Sequence, residues 1–276
     1  MRLPGWSLLG LLVLALTACE SFPTARGGGG SATSPRLREI IANGELRVGL
    51  TASQPPLNMR DKQGEIIGLE VDLMQALGRS MGLAVRFVVT PFAELLPALE
   101  QGDVDLVISG MTITPERNAR VAFVGPYFIS GKSVLTKSET IANVTDSTEL
   151  DDPQRTYAAL AGSTSEEFVK EALPKATLVT TPDYDTAVQL VIDDEVEALV
   201  ADFPICRISV LRHPEAGLST LVTPFTIEPL GIALPADDPL FVNLVQNYLN
   251  TLEGTGLLTR FKAKWFADGS WLSELP

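Results

Sequence analysis

Three short segments of this 276-residue chain carry the side chains best suited to binding chemistry. The first is Ser109-Gly110-Met111-Thr112-Ile113-Thr114-Pro115-Glu116-Arg117. Its glycine permits close backbone approach, Thr112 offers a hydroxyl, and Arg117 offers a planar fork that matches a carboxylate. The second is Gly162-Ser163-Thr164-Ser165-Glu166-Glu167, where Ser163 and Thr164 each have a glutamate three residues later, the signature of a helix start with free N–H groups. The third is Asp202, followed by Phe203-Pro204. Each segment alone also has a purely structural use: a helix start whose arginine pairs with a nearby acid, a cap, and a carboxylate capping a helix. Together they set a cation and a hydroxyl against an anion and an N–H-rich helix start, which complements a zwitterion.

These residues need elements that bring them to one place. Leu46 to Leu50 reads as a strand ending at a turn with Pro55 and Pro56. Val71, Met74, Leu77 and Met81 share one helical face, and Gly82 stops that helix. Leu83, Val85, Phe87 and Val89 alternate as a strand, 92–100 reads as a helix and 104–109 as a buried strand. A second unit repeats the plan, with strands at 156–160, 177–180 and 197–202 and helices at 166–173 and 186–193. The segments 102–110 and 194–202 match in pattern, so Gly110 and Asp202 fall at equivalent strand ends. Strand–helix alternation implies two similar α/β lobes with mainly parallel sheets, and ligands of such sheets bind beyond the carboxyl ends of the strands. Amphipathic helices at 241–249 and 257–266 complete the chain.

The N-terminus reads as an export address. Met1 and Arg2 precede an apolar run from Leu8 to Leu16, too short to span a membrane comfortably, and Leu16-Thr17-Ala18-Cys19 resembles the bacterial lipobox. That resemblance implies a lipoprotein signal peptide over 1–18 and acylation of Cys19. Residues 19–36, rich in Gly, Ser, Thr and Pro with Gly27 to Gly30 in a row, read as a flexible tether. Removal of 1–18 takes away Arg2 and leaves 20 Lys+Arg against 34 Asp+Glu, a net charge of −14. Such a balance disfavours nucleic acid as a partner, because phosphate backbones require a basic face. With Cys19 lipidated, Cys206 has no disulfide partner, and the lone His213 leaves little room for histidine-based metal or triad chemistry.

From residue 37 to 268 the chain resembles the bacterial extracellular solute-binding proteins of family 3, which feed polar amino acids to ATP-binding-cassette importers. The resemblance rests on Arg47-Val48-Gly49, Gly68-Leu69-Glu70-Val71-Asp72-Leu73, Leu96-Pro97-Ala98-Leu99, the Ser109–Arg117 segment, Phe123, Pro126-Tyr127, Gly162 to Glu166, Val200-Ala201-Asp202, Glu228 to Ala233 and Lys264-Trp265-Phe266. It implies the type II periplasmic binding protein fold, with lobe 1 over 37–130 and 228–276, lobe 2 over 131–227, and two hinge strands near 129–133 and 225–230. It further implies that Arg117 holds an α-carboxylate, aided by the Thr112 N–H and Thr164. Asp202, with the Gly110 carbonyl and the Thr112 hydroxyl, would hold the α-ammonium, and Phe92 would stack on the ligand side chain. Ser109 and Ser163, in the same loops, and Thr51, Gln54 and Leu160 are expected to complete the ligand-binding site. No cofactor or metal is implied, and the expected partners are an amino acid and a permease–ATPase complex, with the protein a monomer that touches the membrane through its lipid alone.

Departures from the family narrow the ligand. Many relatives carry an acid at the position of Thr51 and an aromatic at that of Gln54, and a glutamine-binding relative has a lysine where Leu160 stands. These substitutions point to an uncharged ligand side chain. The leading expectation is therefore a binding protein that does no chemistry. The alternatives are a cyclohexadienyl dehydratase, which would need a general acid in the cleft, and a ligand-sensing module for a separate receptor. A lytic transglycosylase would need a further catalytic domain, which the sequence up to Pro276 is expected not to hold.

Overall fold

The computed structural model describes residues 34–275, so the leader, Cys19 and the glycine tract lie outside the described residues. Two five-stranded sheets dominate. In the first the order is Ala84–Val89, Glu45–Leu50, Leu106–Val107, Glu228–Leu234, Ala122–Ser130, and in the second it is Thr177–Thr181, Thr156–Leu160, Ala198–Asp202, Lys132–Thr136, Ser219–Thr220. In each, the first three strands run parallel and the fourth is antiparallel to both its neighbours. The two lobes are thus the same sheet built twice, as the internal echo predicts. The chain passes from the first sheet to the second between Ser130 and Lys132, and returns between Thr220 and Glu228. A small antiparallel sheet of Ser53–Gln54, Asn58–Arg60 and Ile66–Ile67 sits beside the first.

The helices follow the apolar spacing. Leu69–Met81 buries Leu73, Met74 and Leu77 completely in one core with Leu46 and Val48 of the strand Glu45–Leu50, and Pro239–Gly254 adds Phe241 and Val245 to that core. Each such side chain contributes roughly 1.5–3 kcal/mol by leaving water. Asp238 starts the latter helix: Oδ1 accepts from the Phe241 N–H at 3.0 Å and from the Ser34 hydroxyl at 2.5 Å, and Oδ2 accepts from the Leu37 N–H at 3.1 Å. One carboxylate therefore ties the helix Pro35–Asn43 to the C-terminal part of the chain.

Two elements differ from the sequence expectation. The helix expected over 92–100 opens as a 3-10 turn, Phe92–Glu94, and becomes α-helical at Leu95–Gln101, where Pro97 sits in the first turn and needs no N–H. The strand expected over 104–109 forms a ladder at Leu106–Val107, extended by Asp105 N–H to the Arg47 carbonyl at 2.9 Å and Ile108 N–H to the Gly49 carbonyl at 3.1 Å. Beyond it the chain turns into the cleft. Among the described residues no helix is long and apolar enough to cross a membrane.

Candidate functional site

On the first lobe, Gly110 adopts φ +58°, and a Cβ there would lie 2.3 Å from Gln54 Oε1. Only glycine fits without displacement. Its N–H donates to Glu70 Oε1 at 2.7 Å, while Asn58 Nδ2 donates to Glu70 Oε2 at 2.5 Å and the Tyr127 hydroxyl also donates to the carboxylate. Burial pushes the Glu70 carboxyl up, against the pull of Tyr127, Gly110 and Asn58. The Ser109 hydroxyl accepts from the Thr51 N–H at 3.0 Å and from Gln54 Nε2 at 3.3 Å, and donates to Thr51 Oγ1 at 3.2 Å. Thr51, Gln54, Ser109 and Gly110 are thereby held in one network.

Arg117 lies in the short helix Pro115–Asn118, whose start is capped by Thr114 Oγ1 accepting the Arg117 N–H at 3.3 Å. Its guanidinium is buried, donating from Nη1 to the Thr112 carbonyl at 3.0 Å and from Nη2 to the Gly162 carbonyl of the other lobe at 3.0 Å. Burial lowers its proton affinity, while Glu167, Glu228 and Asp202 raise it. The guanidinium carbon stands 5.7 Å from the centre of the Phe92 ring. Phe92 therefore faces the arginine here, and it shares an apolar cluster with Leu160, which is fully buried. A depression of about 270 Å³ opens at this seam, lined by Phe92, Ala93, Met111, Arg117, Gly162 and Glu167 among others.

On the second lobe, Ser163 caps the helix Thr164–Ala172: its oxygen accepts from the Glu166 N–H at 3.2 Å and its proton goes to the Leu160 carbonyl at 2.7 Å. The hydroxyl is thus engaged within its own turn. Thr164 instead faces across, with Oγ1 3.3 Å from Thr112 Oγ1 and donating to Glu228 Oε2 at 3.3 Å.

Asp202 occupies the cap position of the helix Phe203–Arg212 yet makes no capping bond. Its Oδ1 takes Lys132 Nζ at 2.7 Å, and Lys132, 2% exposed, also stands 3.5 Å from Glu228 Oε2. Lys132 and Asp202 are direct partners on adjacent antiparallel strands, so register fixes the pair. Burial pushes the Asp202 carboxyl up, opposed chiefly by Lys132 and reinforced by Glu228. The sequence expectation leaves Asp202 free for a ligand ammonium; the structure gives it an ammonium from the chain itself. Neither Lys132 nor Glu228 is singled out by the sequence as a cleft residue. The available signals were a lysine opening the short strand Lys132-Ser133-Val134-Leu135-Thr136, and an acid in the Glu228-Pro229-Leu230-Gly231 segment.

Among known proteins, the chain is similar to the cyclohexadienyl dehydratase of Pseudomonas aeruginosa, 29% identical over 92% of each chain. It is 26% identical to the ABC transporter arginine-binding protein 1 of Escherichia coli, over 80% of this chain and 90% of that one. Among solved structures it resembles the ancestral amino acid-binding protein AncCDT-1, described as a precursor of cyclohexadienyl dehydratase, with TM-score 0.76 and 36% identity over 83% of this chain and 99% of that one. It also resembles an ABC-transporter binding component from Wolinella succinogenes complexed with lysine, with TM-score 0.78 and 35% identity over the same shares. The model of the bacterial extracellular solute-binding proteins, family 3, matches residues 46–268, a span that takes in both sheets and every cleft residue described above. The repeated lobe, the buried arginine between the lobes and this match place the chain in one group: it belongs to the bacterial extracellular solute-binding proteins, family 3.

Proposed function

We infer that this protein captures an amino acid with an uncharged side chain by closing its two lobes, and delivers it to the permease and ATPase of an importer while anchored through an acylated Cys19. The observation that carries the reading is the buried guanidinium of Arg117 at the seam, bonded to lobe 1 at Thr112 and to lobe 2 at Gly162. A ligand carboxylate exchanging with those two carbonyls would take the same fork in bidentate form and keep the lobes together. The neutral Thr51 and Gln54 and the apolar Phe92 and Leu160 support the choice of side chain. A monomer suffices, since one chain supplies both walls. A thermal-shift screen with the common amino acids tests the reading: ligand at about 100 times its dissociation constant raises stability by about 2.7 kcal/mol. No shift with any of them refutes it. Replacing Cys19 by serine should move the protein from the membrane fraction to the soluble fraction.

One observation favours a second reading, an enzyme like the dehydratase relative. Asp202 is a buried cleft carboxyl whose proton affinity burial raises, against the opposing pull of Lys132, and a dehydratase would need such a carboxyl as its general acid. Incubation with prephenate or arogenate and ultraviolet detection of an aromatic product separates enzyme from binder.

A further inference from the structure

Lys132, Asp202 and Glu228 form a buried cluster at the base of the cleft, where the chain crosses between the sheets. The Lys132–Asp202 pair lies wholly within the second sheet, so closure of the lobes neither makes nor breaks it. Asp202 is neutralised in both states. A ligand ammonium arriving at Asp202 alone would share one carboxylate with the ammonium of Lys132, and in a site this buried the repulsion between the two cations is poorly screened.

Glu228 changes that balance. Its Oε1 accepts from Thr226 Oγ1 at 2.9 Å, and Thr226 Oγ1 in turn accepts from the Lys132 N–H at 2.9 Å, which fixes the carboxylate between the two crossings. Its Oε2 reaches the seam through the Thr164 hydroxyl, itself 3.3 Å from Thr112 in the arginine loop. Asp202 Oδ2 has no hydrogen-bond partner among the described residues, although Oδ1 is taken. Within the Lys132–Asp202–Glu228 cluster, two carboxylates and one ammonium leave one negative charge. That cluster carries a net charge suited to an ammonium only when Glu228 is counted.

We propose that the α-ammonium of the bound amino acid is held jointly by Asp202 and Glu228, with Lys132 as the internal counter-ion that positions both carboxylates. Glu228 is then a binding residue and Lys132 a positioning residue. This rests on the amino-acid reading of the cleft and adds to it a second anionic contact.

The test is isothermal titration of the purified protein with the proteinogenic amino acids, followed by the des-amino acid of each one that binds; for glutamine this is glutaramate and for leucine 4-methylpentanoate. Glu228→Gln should weaken every bound amino acid at least tenfold and its des-amino acid less than threefold, and Glu228→Asp should restore part of the loss. Equal weakening of amino and des-amino ligands would reduce Glu228 to a hinge strut and overturn the proposal, as would amino-acid binding by Glu228→Gln within twofold of wild type. If Glu228→Gln fails to fold, Thr226→Val, which removes the hydroxyl that positions Glu228 Oε1, should show the same preferential loss in weaker form; its absence overturns the proposal. Wild type that binds no amino acid overturns the amino-acid reading as a whole, whereas wild type that binds while the variants discriminate nothing overturns the proposal alone.

Discussion

Arg117 Nη2 donates to the carbonyl oxygen of Gly162 at 3.0 Å, so a cation on the first lobe is bonded to the backbone of the second. The same guanidinium holds the Thr112 carbonyl of its own lobe. Both arms of the fork point at the seam.

Arg117→Ala is expected to weaken amino-acid binding by on the order of 100-fold, the loss of a charged, two-pronged hydrogen-bonding partner. Arg117→Lys keeps the charge and loses the fork, and should recover less than half of that free energy. Titration calorimetry decides, and affinity within twofold of wild type for Arg117→Ala would remove the carboxylate role.

Gly162→Ala addresses closure. A Cβ at this residue, where φ is +73°, would meet Ala93 Cβ of the other lobe at 2.9 Å and its Cα at 3.0 Å. The added methyl opposes the closed state, and the left-handed backbone adds a local cost of about 1 kcal/mol. Affinity should fall about tenfold, since binding draws on the closed population. Small-angle scattering in saturating ligand should report a larger radius of gyration than for wild type.

Glu70→Ala leaves the Gly110 N–H, Asn58 Nδ2 and the Tyr127 hydroxyl without their shared acceptor. Buried donors without partners cost on the order of 1–3 kcal/mol each, so a total near 3 kcal/mol is expected after relaxation. Urea denaturation measures it, and a loss below 1 kcal/mol would mean that the network is replaceable.

The Asp238 carboxyl lies below its ordinary value of 3.8: burial works against ionisation, but hydrogen bonds from Ser34 and the N–H groups of Leu37 and Phe241 outweigh it. A carboxyl depressed in the folded state contributes stability that is complete above the unfolded value and is lost as pH falls through the folded one. Asp238→Asn should therefore cost about 1 kcal/mol at pH 7, and the gap to wild type should narrow below pH 3.8. Thermal denaturation at pH 7 and pH 3 checks the sign, and a gap that widens in acid contradicts it.

Much of the fold was legible because it repeats. Helix faces such as Val71, Met74 and Leu77 and the alternation from Leu83 to Val89 are local signals, and the echo of 102–110 in 194–202 announces the second lobe, although Asp202 ends its strand while Gly110 lies beyond the ladder at Leu106–Val107. The loops were legible for the same reason: Ser163 caps the helix its spacing announces, and Arg117 follows a Thr-Pro helix start. The charge partners were not. Lys132 and Asp202 are 70 residues apart, and only the antiparallel register of their strands makes them neighbours.

The sequence by itself determined the two-lobed plan, the residues that gather at the strand ends and the cation that faces them, because periodicity, turn chemistry and caps act over a few residues. The tertiary structure decided how those charges are spent. It sets Lys132 on Asp202, brings Glu228 in from the returning crossing, and joins Arg117 to Gly162 across the seam. Such pairings depend on strand register and on how one lobe packs against the other, which are long-range outcomes with no local imprint on the chain.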